Sequence, residues 1–254
     1  MILNGKTAII TGGGSGIGEA AARCFASEGA NLVLADWDEA GGTRVANQIN
    51  EITKGRARYV KADVSSAEDV KNVVGCTLTA FGRLDILFNN AASILPKPLE
   101  EVEEEEWDRL MAINLKSIYL AIKYSIPELR KTKGAIINMA SLNGLVGQRQ
   151  NASYAATKGG IVAMTKSLAL DYAKDGVRVN CLCPAGVMTP LMESWIDQQE
   201  DPAAVRKSLD DMHPLGRAAQ PEEVTQAALF LASEKASFIT GVALPVEGGA
   251  SLGY

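Results

Sequence analysis

Short apolar runs alternate with longer amphipathic stretches along the whole chain. Residues 7–10 form an apolar run that ends in glycines, and the pattern after it predicts a helix over 17–27. Gly29 ends that helix, and 31–35 reads as a second buried strand. The same alternation continues with a helix over 38–53, a strand over 58–61, a helix over 67–81 and a strand over 85–88. Next come a long helix over 107–130, a strand over 135–138, a helix over 153–172 and an extended run over 177–182. The last pair is a helix over 221–232 and a strand over 242–246. Strands this short, alternating with helices of ten residues or more, predict an α/β fold: a doubly wound parallel sheet with helices on both faces. No linker or repeat divides the chain, so 1–254 is expected to be a single domain. Residues 190–214, rich in Trp, Met, Gln and Asp, interrupt the pattern and are expected to be an irregular insertion serving as a substrate lid. The acidic run 100–106 reads as the solvated start of the long helix, where negative charge suits the helix dipole.

Composition narrows the class. The chain has 254 residues, 47% of them apolar and 22% charged, with a formal net charge of −5. Those averages exclude disordered, collagen-like and coiled-coil chains. A slightly acidic balance with dispersed basic residues argues against a nucleic-acid partner. No apolar run approaches the ~18–20 residues of a membrane span, so no membrane is expected. The first ten residues lack the basic start and apolar stretch of a signal peptide, and a cytoplasmic protein is the expectation. Cys24, Cys76, Cys181 and Cys183 are too few and too scattered for a disulfide framework. His213 is the lone histidine and lies thirty residues past Cys183, so neither a metal site nor a nucleophile with a histidine base is expected.

Candidate chemistry starts at the turn after the first strand, Thr11-Gly12-Gly13-Gly14-Ser15-Gly16-Ile17-Gly18. Glycines there let backbone amides approach a pyrophosphate at a helix N-terminus, in the manner of a Rossmann-type βαβ unit. Asp36 ends the second strand, eighteen residues past Gly18. A carboxylate in that place accepts hydrogen bonds from an adenosine ribose and repels a 2′-phosphate. The neighbours Ser15, Trp37 and Asp38 offer no cation to hold such a phosphate, so NAD is expected rather than NADP.

Tyr154 and Lys158 are four apart in a helical segment and share a face. A phenol ionises near pH ~10. A neighbouring ammonium, together with the positive charge of an oxidised nicotinamide, is expected to pull it towards neutrality and make it a base. Ser141 follows the fifth strand and can hold a substrate oxygen beside that phenol. Asn89-Asn90-Ala91-Ala92 closes the fourth strand and Asn114 lies within the long helix. These groups gather at the carboxyl ends of strands, where open α/β sheets bind ligands.

With these motifs in place the chain resembles the short-chain dehydrogenase/reductase family over essentially its whole length. Thr11 to Gly18 matches the family's glycine turn, Asp63-Val64 its adenine contact, and Asn90 the turn after its fourth strand. Asn114, Ser141, Tyr154 and Lys158 match its catalytic tetrad. The resemblance extends the cofactor site to Ala91, Ala92 and Ile113. Pro184 to Thr189 matches the segment over the nicotinamide, with Gly186 in its backbone and Val187 and Thr189 touching the ring's carboxamide and the phosphate. Two departures stand out: Ala92 replaces a usual glycine, and Pro184-Ala185-Gly186 displaces another by one residue. The resemblance implies that Ser141 and Tyr154 grip a substrate hydroxyl and Tyr154 takes its proton. It also implies that Lys158 lowers the phenol's pKa and holds the nicotinamide ribose, and that Asn114 joins a proton relay through a helix distortion. A homotetramer burying the helices 107–130 and 153–172 is implied too, with Tyr254 reaching a neighbour's pocket.

Substrate residues are expected in 142–148, with Ile94, Leu95, Arg149, Leu191, Met192 and Trp195 completing the wall. Asn143, Gln148 and Arg149 suit a polyhydroxylated ligand, and Met192 and Trp195 a ring face. Within the family the likeness runs to the branch of L-fucose and type 14 17β-hydroxysteroid dehydrogenases, through Ser141-Leu142, Gly147-Gln148, Thr189-Pro190-Leu191 and Pro214-Leu215-Gly216-Arg217. The expected activity is therefore hydride transfer between NAD(H) and a secondary alcohol or ketone, a sugar or small cyclic alcohol, within carbohydrate metabolism. Reduction of a 3-oxoacyl thioester is the alternative, and a non-catalytic NAD sensor or scaffold the second.

Overall fold

The computed structural model describes residues 1–53 and 56–252; Tyr254, expected to reach a neighbouring pocket, lies outside the described residues. From the N-terminus run β1 (Thr7–Thr11), α1 (Gly16–Ser27), β2 (Asn31–Asp36), α2 (Glu39–Thr53), β3 (Ala57–Lys61), α3 (Ala67–Phe81) and β4 (Ile86–Asn89). Then come α4 (Glu104–Met111), α5 (Ser117–Thr132), β5 (Ala135–Met139), α6 (Ala152–Tyr172) and β6 (Arg178–Pro184). The chain closes with α7 (Pro190–Asp197), α8 (Pro202–Asp211), α9 (Pro221–Ala232) and β7 (Ala243–Val246). Strand and helix boundaries fall within one to three residues of those the pattern predicts.

The strands form one seven-stranded parallel sheet in the order β3-β2-β1-β4-β5-β6-β7. Strands β1 to β3 wind one way, and β4 returns to the other flank of β1 and winds the opposite way. That reversal opens a crevice above the carboxyl ends of β1 and β4. Alternation along each strand divides the core in two. Ile10, Leu34 and Phe88 face α1, α2 and α9, with Phe25 stacked 6.3 Å from Phe88. Ile9, Val33 and Leu87 face α3, α5 and α6. Strands β1, β2, β4, β5 and β6 are thus buried on both sides and read as largely apolar runs, whereas the edge strand β3 exposes Arg58 and Lys61.

Three stretches differ from the sequence pattern. The stretch 107–130 is not one continuous helix: α4 and α5 are joined by a π-helical turn over Ala112–Lys116. The acidic run is exposed at Glu100, Glu101, Glu103, Glu104 and Glu105, but it opens the helix only from Glu104. A short 3₁₀ turn covers Leu99–Glu101, and Glu106 accepts from the Glu103 amide at 3.1 Å and from Lys97 at 2.7 Å. Residues 190–214 are not irregular but carry α7 and α8. Thr189 and Asp201 cap them by accepting from the Met192 and Ala204 amides, and a proline opens each first turn. Both helices are short and α8 is mostly polar, but Leu191, Met192, Trp195 and Ile196 in α7 already have helical spacing, and the Thr-Pro and Asp-Pro pairs are start signals. Among the described residues no helix is long and apolar enough to cross a membrane.

Candidate active site

A cleft of about 1300 Å³ runs across the carboxyl edge of the sheet. That exceeds the ~300–1,000 Å³ of an ordinary small-ligand pocket. Its floor at one end is the turn between β1 and α1. Gly12 has a φ of +66°, and a Cβ on Gly18 would lie 1.8 Å from the Gly12 carbonyl oxygen. Only glycine permits the helix to start so tightly under that turn. Gly12, Ser15, Gly16 and Ile17 line the cleft, whereas Gly18 lies beneath it as a packing position.

Asp36 ends β2 with a buried carboxylate that accepts from the Gly14 amide at 2.8 Å and the Asp38 amide at 3.0 Å. It therefore shapes the glycine turn as well as facing the cleft. Trp37 beside it is 76% exposed, its indole along the rim. Asp63 and Val64 line the opposite wall. Hydrogen bonds from Ser65, helped by the nearby Arg109 cation, hold the Asp63 carboxyl below the usual carboxylate range. Asn90 lines the cleft, yet its side-chain amide donates to the Thr11 and Gly12 carbonyls at 3.0 and 3.2 Å, tying β4 to the glycine turn. Ala91 and Ala92 continue the floor, and the methyl of Ala92 sits at the exposed face.

At the other end stand Ser141, Tyr154 and Lys158. Ser141 follows β5, Tyr154 is on the first turn of α6, and Lys158 is one turn further. Ser141 stands close enough to the Tyr154 hydroxyl to lower its pKa, and its Oγ accepts from the Asn143 amide at 3.2 Å. Lys158 Nζ donates to the Met139 carbonyl at 2.8 Å and lies 5.3 Å from the centroid of the Tyr154 ring. Burial pushes the Tyr154 phenol up to about 12, against a smaller lowering by Ser141, and pulls the Lys158 ammonium down to about 8. The expected acidified phenol is thus not produced by these two groups alone. Each is stripped of water, and desolvation drives both towards their neutral forms.

Asn114 is 1% exposed and does not line the cleft. It sits in the π turn, where its Oδ1 accepts from the Ser93 amide at 2.7 Å. Its Nδ2 donates to the Ser93 carbonyl at 2.9 Å and to Thr157 Oγ at 3.2 Å. The neighbouring Ile113 does reach the cleft, as do Pro184, Gly186, Val187 and Thr189 on the loop after β6. On the outer side, Asn143, Gln148, Met192 and Trp195 line the cavity, but Leu95, Gly144, Leu145 and Arg149 do not. Gln148 Oε1 accepts from the amides of both Asn143 and Asn151. Sequence reasoning missed Asn151, Arg109, Ala250 and the α8 residues Val205, Leu209 and Met212, all of which line the cleft. Only the fold brings those distant segments to one place.

A doubly wound sheet with a glycine turn at its switch point and a Ser–Tyr–Lys cluster at the inner end of one long cleft defines an α/β oxidoreductase. Comparison with known proteins agrees. The family model described as enoyl-(acyl carrier protein) reductase matches residues 12–251. The chain is 44% identical to the L-fucose dehydrogenase of Mus musculus, over 99% of this chain and 90% of that protein. It is 41% identical to the meso-2,3-butanediol dehydrogenase of Serratia marcescens, over 99% and 96% respectively. The crystal structure of the 3-ketoacyl-(acyl-carrier-protein) reductase from Brucella melitensis complexed with NADH is 39% identical, with a TM-score of 0.88, covering 98% of this chain and 99% of that one. The chain belongs to the short-chain dehydrogenase/reductase family.

Proposed function

We propose that the protein is an NAD-dependent dehydrogenase of secondary alcohols, with Tyr154 as the general base in oxidation and the general acid in reduction. The carrying observation is the single cleft that has Asp36 and the glycine turn at one end and Ser141, Tyr154 and Lys158 at the other. The Gly12–Gly18 approach leaves backbone amides free to meet a pyrophosphate, and the buried Asp36 carboxylate suits two ribose hydroxyls, so the residues fit NAD. Bound NAD supplies the hydride acceptor and a positive charge near the phenol. Ser141 Oγ orients the substrate hydroxyl, and the Tyr154 oxygen takes its proton. Lys158, anchored to Met139, holds a positive charge beside the phenol ring, and Asn114 fixes the helix distortion behind it.

A sugar or small cyclic alcohol is the substrate class. Asn143, Gln148 and Asn151 put amide groups along one wall, and Met192 and Trp195 put apolar surface on the other. The name of the mouse relative, a sugar dehydrogenase, supports the same class and a place in carbohydrate metabolism, and that of the Serratia relative, a dehydrogenase of an open-chain diol, supports a secondary alcohol. The Brucella neighbour supports a second reading, reduction of a 3-oxoacyl thioester. The enzyme is further proposed to be cytoplasmic, consistent with four free cysteines. It is proposed to be a homotetramer, which would cover Leu170 on α6, 80% exposed, and Tyr119 on α5.

The test is absorbance at 340 nm with NAD and a panel of sugars, polyols, steroids and hydroxyacids, repeated with oxoacyl thioesters and NADH. Tyr154→Phe is expected to abolish turnover while binding NADH as the parent does. A variant that turns over near the parent rate would overturn the assignment.

A further inference from the structure

The chain's one histidine takes no part in the chemistry described above, yet it is almost fully buried beside the cleft. His213 lies in the turn after α8. Its Nδ1 is 2.8 Å from the Leu209 carbonyl oxygen, which can only accept, so Nδ1 carries the proton. Its bare Nε2 then accepts from the Gly186 amide at 3.2 Å. The carbonyl of Gly186 is held from the other side by the Ala219 amide at 2.9 Å. A Cβ at 186 would come within 2.7 Å of Leu209 and 3.0 Å of the His213 ring. The displaced glycine of Pro184-Ala185-Gly186 therefore stands where the loop meets the imidazole. A Cβ on Gly248, two residues before Ala250, would touch the His213 Cβ at 3.4 Å and the ring at 3.5 Å. The imidazole joins three segments that all line the cleft: the loop after β6, the end of α8 with Leu209 and Met212, and the C-terminal stretch.

We propose that His213 is a positioning residue that latches the α7–α8 cap onto the loop beside Ser141 and Tyr154, through an Nδ1-protonated ring whose Nε2 holds the Gly186 amide. This rests on the reading of the cleft as the NAD and alcohol site. With the latch made, the cap residues Leu209 and Met212 and the loop residues Gly186 and Val187 keep one spacing, and substrate and cofactor meet a preformed wall. Without it, a buried N–H loses its acceptor, and α8 stays tied to the loop indirectly, through the Asp210–Ala218 and Gly186–Ala219 bonds.

Two amide variants separate the latch from simple packing. In His213→Gln the side-chain oxygen reaches the place of Nε2, whereas in His213→Asn it reaches only that of Nδ1. The expected result is that Asn raises the KM for the alcohol and the Kd for NADH about tenfold, with kcat changed far less. Gln is expected to restore both to within about twofold of the parent. Equal behaviour of the two variants, in either direction, overturns the latch. Nitrogen-15 spectra of histidine-labelled enzyme give one ring to read, expected in the Nδ1-protonated form; a ring protonated at Nε2 overturns it as well, even if neither variant folds. A parent enzyme that binds no NADH instead refutes the proposed function, while the ring's tautomer still decides the His213 contact.

Discussion

Lys158 and Tyr154 lie one turn apart on α6, the ammonium nitrogen 5.3 Å from the phenol ring and bonded to the Met139 carbonyl. The lysine is fully buried with no carboxylate against it, and its pKa has fallen to about 8. A cation held dry in this way costs the fold stability. Between pH 8 and the ordinary lysine value the unfolded chain keeps a proton that the folded chain releases, so stability rises with pH across that window. Below pH 8 the whole deficit is present. Lys158→Met is accordingly expected to gain roughly 1–3 kcal/mol at pH 7, after allowing for the lost bond to Met139. Each kcal/mol raises Tm by about 2–4 °C in a chain of this size. Turnover is expected to fall by 10² or more, the usual scale for acid–base machinery. Thermal melts and the 340 nm assay check both halves; a Tm at or below the parent's would contradict the first.

Tyr154 gives a directional pH dependence. Burial holds the phenol near 12 in the protein alone, so it is protonated at neutral pH. Alcohol oxidation consumes the phenolate and is expected to rise in kcat/KM from pH 7 towards pH 10. Ketone reduction uses the protonated phenol and is expected to stay flat or fall over the same range. Parallel profiles in the two directions would show that another group moves the proton.

Asp36 does two jobs that one substitution exposes together. Asp36→Ala deprives the Gly14 and Asp38 amides of their acceptor and removes the carboxylate from the ribose site. Affinity for NADH is expected to drop about 10- to 100-fold, since bonds to a charged acceptor contribute about 1.5–3 kcal/mol. The preference over NADPH, measured by fluorescence titration of both cofactors, is expected to shrink. Unchanged discrimination would place it elsewhere in the cleft.

Gly18 tests the turn from beneath, at a residue that does not itself line the cleft. In Gly18→Ala the new methyl carbon would sit 1.8 Å from the Gly12 oxygen, and main chain must move to admit it. The expected result is a loss of at least 1–3 kcal/mol in stability, the scale of core overpacking, together with weakened NADH binding. Denaturant unfolding and titration measure the two effects. Wild-type values for both would mean that α1 can shift freely against β1.

Much of this protein was legible from its amino-acid order because the signals involved are local. Strands β1, β2, β4, β5 and β6 are buried on both faces and announce themselves as apolar runs, and the helices by their period. The glycine turn, Asp36 at a strand end and the Tyr154–Lys158 spacing are likewise short-range facts. Contacts between distant segments were decided by tertiary structure alone. Asn114 is held by Ser93 and Thr157, 21 and 43 residues away, and His213 by Gly186, 27 residues away. The helices of the cap escaped the pattern because α7 and α8 are only eight and ten residues long and α8 carries few apolar positions. The charge states of Tyr154 and Lys158 belong to the same group, since a side chain's pKa depends on which water it loses, and folding alone determines that.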